Sequence, residues 1–231
     1  KAMRELSHSV RKTLHRLALI ASLSVFVAYI SSSAHMSDLE RVHARGQLVM
    51  LTIPGPTTYF EDGHGKNGFD YLIAKAFADS LNVDLVVKPQ STLRKLLLSV
   101  GGPQGDFAAA NLVATEARAK SLQFSQPFFE VTQQLVYRRG SKRPKSLEQL
   151  EGELLVITDS SHSEQLIKLK VSVPGLNWSE QDDAEMSDLI RMVHEGELTY
   201  TVVDSLSYLV NRHIYPRARR AFDIAQPQST A

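Results

Sequence analysis

At 231 residues the chain has room for one large domain or for two lobes of roughly 100 residues each. Hydrophobic residues make up 43% and charged residues 22%, a balance that excludes a disordered chain and a many-times membrane-spanning one. With 26 basic residues against 25 acidic and no cysteine, nothing draws the molecule as a whole toward nucleic acid. Disulfides, thiolate metal sites, a cysteine nucleophile and a lipidated cysteine are ruled out within this sequence.

The chain begins with Arg4, Arg11, Lys12 and Arg16, followed by an apolar run from Leu17 to Ile30. Ser32 and Ala34 then stand at the small-residue positions of a cleavage site, so residues 1–34 read as a secretory signal and the mature chain as exported to the periplasm. As a helix the run reaches about 21 Å, short of the roughly 30 Å hydrocarbon core, which favours a cleaved signal over a permanent anchor. Beyond it, the apolar stretch from Gln47 to Ile53 reads as a strand. Phe69, Leu72, Ile73, Ala76 and Phe77 then recur at helical spacing on one face. A second strand begins at Val83, a second helix shows Leu93, Leu96, Leu97 and Val100 as its inner face, and a third strand begins at Asp106. Strand, helix, strand, helix, strand is the order of a parallel or mixed sheet with helices on its faces.

The order then repeats. A polar, proline-containing stretch from Ser141 to Gly152 leads into a strand beginning at Leu154 and a helix around Glu164 to Leu169. Met186, Leu189, Ile190 and Val193 mark another helix, with Gly196 in the position of a C-cap. A last strand ends at Asp204 and runs straight into the apolar helix beginning at Ser205. Two successive α/β units imply two lobes with a cleft between them, and a ligand is expected at the carboxyl ends of the strands, where helix N-termini offer free N–H groups.

The sequence carries no HExxH, no paired histidines at metal-ligand spacing, no GxSxG elbow and no glycine-rich phosphate loop. No catalytic residue, metal or cofactor is expected. The basic run Arg138 to Lys145 lacks interleaved aromatics and reads as a solvated segment, without a nucleic-acid partner. Three loop-to-helix junctions have the composition of a ligand cleft. Thr115 can cap a helix whose first turn presents the Arg118 fork; Ser160 and Ser161 open another helix; Asp204 ends a strand, where its carboxylate suits an ammonium. Taken singly, plain helix capping explains each one better; their recurrence at the ends of successive strands favours the site. Tyr59, in the loop from Thr57 to Gly63, is a candidate for stacking on a ligand.

The succession GFDYLIAKAFADSL, TEARAKSLQFSQPFF and VVDS resembles family 3 of the bacterial extracellular solute-binding proteins, from about Leu39 to about Gln226. The resemblance implies a two-lobed periplasmic-binding-protein fold of type II. It divides the chain into a first lobe at 35–137, a second at 138–222, and a returning segment at 223–231 that is cut short. It also implies that Arg118 pairs with a ligand carboxylate, that Asp204 binds its amino group, and that the family's Gly-Thr turn falls on Asp159 and Ser160. The stretches QQLVYRRGSKRPKSLEQLEG and ELTYTVVDS are similar to the N-terminal modules of membrane-bound lytic transglycosylases of the F type. That branch implies a parent enzyme that cleaves peptidoglycan to 1,6-anhydromuramoyl ends by means of a separate catalytic domain. Its Glu-Ser motif does not occur in this chain. On this reading the ligand is a small zwitterion, an amino acid or a cell-wall peptide, and the parent protein associates peripherally with the outer membrane. A freestanding binding protein of an amino-acid importer is the alternative, and a small dehydratase on the same fold a third reading. Val113 stands where importers carry a hydroxyl residue, and Asp159 replaces the turn glycine. Both changes weaken binding of a free amino acid and point to a less acidic ligand.

Overall fold

A computed structural model describes residues 37–231, so the expected signal lies outside the described residues. The described residues fall into two units, the residues up to Arg45 and the compact Gly46–Ala231. In the first, helix α1 (Asp38–Arg45) starts from a capping box. Ser37 Oγ accepts from the Glu40 backbone N–H at 3.3 Å, and Glu40 Oε2 accepts from the Ser37 N–H at 2.7 Å.

The second unit opens with strand β1 (Gln47–Thr52), the hairpin β2 (Phe60–Asp62) and β3 (Gly65–Asn67), helix α2 (Phe69–Ser80), β4 (Asp84–Pro89), helix α3 (Leu93–Ser99) and the short β5 (Phe107–Ala108). β1 is the centre of a parallel sheet ordered β4-β1-β5. Residues 48–52 are all buried, as a strand covered on both faces requires, and this is why it reads as an unbroken apolar run.

The expected helix at Phe69 forms, but its large apolar face does not enter the core. Asp70, Ala74 and Ala78, at i, i+4 and i+8, are buried, and the two alanines let the helix approach the sheet closely. Phe69, Leu72, Ile73 and Phe77 stay between 43% and 56% exposed, and Phe69 has ring contacts with Phe128 and Phe129 at 6.0 and 6.5 Å. In α3 the expected inner face holds. Leu96 is buried with Leu51 and Leu112, and Leu93, Leu97 and Val100 pack around them.

The second half comprises β6 (Phe129–Val131), β7 (Gln133–Arg138), β8 (Leu154–Ile157), α4 (Ser161–Lys170), β9 (Ser179–Gln181), α5 (Met186–Glu195), β10 (Tyr200–Asp204), α6 (Ser205–Asn211), β11 (Ala218–Asp223) and β12 (Gln228–Thr230). Its sheet is ordered β11-β7-β10-β8-β9. β10 and β9 run parallel to β8, while β7 is antiparallel to both β10 and β11. One face is packed around Leu135, Leu166 and Val202, the other around Val136, Ile190 and Val203, and each such side chain contributes about 1.5–3 kcal/mol by leaving water. The second sheet takes the chain from Gln133, ahead of the boundary expected at Arg138, because β7 pairs on both sides. After β11 the chain returns. β12 pairs with β6, Thr230 bridges to Val113, and the Ala231 N–H donates to the Leu112 carbonyl at 3.3 Å. Among the described residues no helix is long and apolar enough to cross a membrane.

Candidate functional site

A cavity of about 300 Å³ lies at the carboxyl ends of the strands of both sheets, where the alternation of strands and helices places it. The first lobe supplies 53–58 after β1, 90–93 after β4, and Ala110 and Asn111 after β5; the second supplies Ile157, Ser160, residues 183–188, Ser207 and Asn211. The loop after β1 is folded by Thr58, whose hydroxyl donates to the Ile53 carbonyl at 2.5 Å, and by the Gly55 N–H, which donates to the Tyr59 carbonyl at 2.9 Å. Gly68, at φ 123, sits against this loop, and a Cβ there would stand 2.3 Å from the Thr58 carbonyl oxygen. Only glycine fits.

Ser160 caps α4, its hydroxyl accepting from the Ser163 N–H at 3.2 Å. Also on the second lobe's side, Glu185 and Asp188 form a reciprocal capping box at the start of α5. Burial raises the Glu185 pKa, and the neighbouring Asp188 charge raises it further. Asn111 takes a left-handed conformation, φ 49, and its N–H donates to the buried Asp70 Oδ2 at 2.7 Å. Burial pushes the Asp70 carboxyl up to about 6 from 3.8, against the lowering effect of that bond.

A raised carboxylate pKa stabilises the fold fully below the unfolded value and loses that contribution as pH climbs through the folded one. Ionised Asp70 therefore costs about 3 kcal/mol well above pH 6. Asp70→Asn keeps an oxygen for the Asn111 N–H and removes the charge, so urea midpoints should show a gain of about 2–3 kcal/mol at pH 8 and almost none at pH 4. Equal gains at both pH values would show that the buried charge is not the cause.

Of the six residues expected at the ligand, only Ser160 lines the cavity. Arg118 is 7% exposed and joins the lobes. Its Nη1 donates to the Val113 carbonyl and its Nη2 to the Asp159 carbonyl, each at 3.0 Å, and Glu164 Oε1 stands 3.7 Å from Nε. Burial lowers its pKa, opposed by the charges of Glu164 and Asp159. Thr115 Oγ1 accepts from the Arg118 N–H at 3.3 Å, and the turn that follows is a short 3-10 helix, Arg118–Lys120. Ser161 is buried, its carbonyl accepting from Gln133 Nε2 at 3.0 Å. Asp204 caps α6, accepting from the Ser207 N–H at 2.7 Å and hydroxyl at 2.8 Å. Burial raises its pKa in spite of those bonds. Tyr59 is buried, its hydroxyl donating to Glu61 and its ring 5.7 Å from Tyr71, and it is not among the residues that line the cavity.

Two residues absent from the sequence expectation matter here. Arg94 Nε contacts Asp159 Oδ2 at 2.8 Å, and its only sequence signal is a place in the first turn after the cap Thr92. His162 is wholly buried, with neither ring nitrogen hydrogen-bonded, and it follows directly on two small polar residues that themselves suggest a surface turn.

Residues 48–213 match the family model of bacterial extracellular solute-binding proteins, family 3. A membrane-bound lytic murein transglycosylase F of Saccharophagus degradans is 42% identical over 233 residues, covering 100% of this chain and 46% of that protein. The Cellvibrio japonicus protein of the same name is 41% identical over 93% of this chain and 45% of its own length. The chain thus spans about half the length of the curated relatives it matches. Among solved structures, the arginine-bound truncated ArgBP of T. maritima superposes with a TM-score of 0.72 at 24% identity, over 82% of this chain and 88% of that one. An ancestral arginine-binding protein bound to arginine gives 0.69 at 26%, over 80% and 83%. The fold is that of the type II periplasmic binding proteins, and the chain belongs to the bacterial extracellular solute-binding proteins, family 3.

Proposed function

We propose that this chain is the periplasmic ligand-binding module of a peptidoglycan lytic transglycosylase of the F type, taking a small amino-acid or muropeptide-like ligand in the cavity between its lobes. The observation that carries this reading is the cavity itself, at the carboxyl ends of strands from both sheets, while Arg118, outside its lining, spans the lobes. The transglycosylase parent is supported by relatives at 41–42% identity. Cleavage of glycan strands to 1,6-anhydromuramoyl products belongs to the other half of such a parent, and ligand binding here would regulate or position it. Peripheral association of the parent with the inner face of the outer membrane is part of the same reading. The alternative, a freestanding binding protein of an amino-acid importer, draws on the structural neighbours solved with arginine bound.

Calorimetric titration of the purified chain with single amino acids and with peptidoglycan stem peptides tests the reading. At least one should bind and raise the melting temperature, by the equivalent of about 2.7 kcal/mol at a ligand concentration of about 100 times Kd. Absence of binding across both sets would remove the basis for calling the cavity a ligand site.

A further inference from the structure

Two arginines of the first lobe converge on one residue of the second. Arg94, in the first turn of α3, holds the Asp159 carboxylate with Nε at 2.8 Å. Arg118 Nη2 donates to the carbonyl of the same residue at 3.0 Å. Asp159 lies between β8 and Ser160, which lines the cavity, and it takes the left-handed conformation at φ 57, one that glycine adopts freely and aspartate tolerates at some cost. The cavity lining contains no lysine or arginine, and its charged residues, Asp183, Glu185 and Asp188, are all acidic. The guanidinium groups beside the cleft are thus engaged by the protein's own oxygens.

We propose that Asp159 is a built-in anion of the cleft: it latches the lobes through Arg94 and Arg118 without a ligand, and it competes with ligand carboxylates for those arginines. The cleft then selects a ligand that presents an ammonium group and has its nearest carboxyl masked, as in an amide or peptide bond. This rests on the reading of the cavity as a ligand site and adds the class of ligand to it. The Arg94 and Asp159 side chains are 52% and 45% exposed, so the selection is moderate and weakens in salt.

The test uses the whole chain. Because the sequence has no cysteine, Gln104→Cys and Asp182→Cys give one unique spin label in each lobe, and the unliganded label distance reports closure. Asp159→Asn retains the tolerated left-handed backbone and removes only the charge; Arg94→Gln removes the partner. Both should lengthen or broaden the distance. In calorimetry at low salt, the unsubstituted chain should bind L-argininamide roughly fivefold more tightly than L-arginine, and Asp159→Asn should erase that preference. Unchanged distances in both variants would overturn the latch. A preference for free arginine, or a ratio that Asp159→Asn leaves untouched, would overturn the selection. If neither probe binds to the unsubstituted chain or to Asp159→Asn, the reading of the cleft as an amino-acid-type site fails and the selection with it, while the label distances still decide the latch.

Discussion

Relative to a His162→Leu variant, the unsubstituted chain should lose about 1.4 kcal/mol of stability for each pH unit below 6.5. His162 is in the first turn of α4 and 1% exposed. Burial first, and the nearby Arg118 charge second, bring its pKa down to about 3 from 6.5. A depressed folded pKa means that the unfolded chain takes up a proton that the folded chain refuses, so stability is intact above 6.5 and drains away as pH falls toward 3. By pH 4.5 the difference reaches about 3 kcal/mol, a large share of a typical domain's 5–15 kcal/mol. Leucine fills much of the same volume without a proton to bind. Since neither ring nitrogen is hydrogen-bonded, leucine should also be tolerated at neutral pH. Urea unfolding of both proteins at pH 7.5, 5.5 and 4.5 measures the effect. A stability difference that stays flat with pH would mean that the imidazole protonates in the folded state almost as readily as in water. The comparison with the variant is needed because Asp70 works in the opposite sense, gaining stability on protonation near pH 6.

Arg118→Ala should remove about 3 kcal/mol of stability and weaken ligand binding at least tenfold. The guanidinium is buried, donates to carbonyls on both sides of the lobe junction and carries a charge opposite Glu164. Its loss strands the Val113 and Asp159 carbonyls, leaves Glu164 without its partner and unties the lobes that frame the cavity. Arg118→Lys keeps the charge and loses the fork, so it should fall between the two, since a single ammonium cannot reach both carbonyls in one plane. Denaturation midpoints and titration of whichever ligand binds give the two readouts. A cost of a few tenths of a kcal/mol, with affinity unchanged, would reduce Arg118 to a solvated surface charge.

Much of the architecture was legible because its elements are regular. Residues 48–52 are buried on both faces and read as a continuous apolar run, and Met186, Leu189, Ile190 and Val193 ended by Gly196 read as a capped helix; both form as expected, with Gly196 at φ 88. Helix α1 is written in the Ser37-to-Glu40 capping box, a weaker signal than the apolar run that precedes it. The stretch from Thr57 to Gly63 reads as loop, since Gly63, His64 and Gly65 interrupt any alternation, yet Phe60–Asp62 forms the first strand of a hairpin. The buried face of α2 differs from the apolar face that its periodicity marks, for a different reason. Periodicity measures side-chain size and polarity, whereas close packing against the sheet selects the small Ala74 and Ala78 together with Asp70, which binds the Asn111 N–H. At the cleft, the residue types at strand ends were visible, and so was the departure at Asp159. The convergence of Arg94 and Arg118 on that residue was not, because it joins positions 65 and 41 residues away in the chain and depends on how the lobes meet.

The pairing of β12 with β6, and of Thr230 with Val113, has a bearing on the order in which the molecule acquires its structure. Thr230 Oγ1 donates to the Phe129 carbonyl across 101 positions of sequence, a loop whose closure is entropically slow to reach. During synthesis from the N-terminus, β1, β4 and β5 can assemble early, but the stretch around Val113 that leads to Arg118 lacks its neighbouring strand until residues 228–230 have been made. The second lobe, whose sheet draws on residues 133–223 alone, has all its partners sooner. The lobe made first therefore gains its β6 and Val113 pairings after the second lobe's sheet can form, and for that interval β6 and Val113 stand as open edges, the part of a nascent chain most exposed to mispairing.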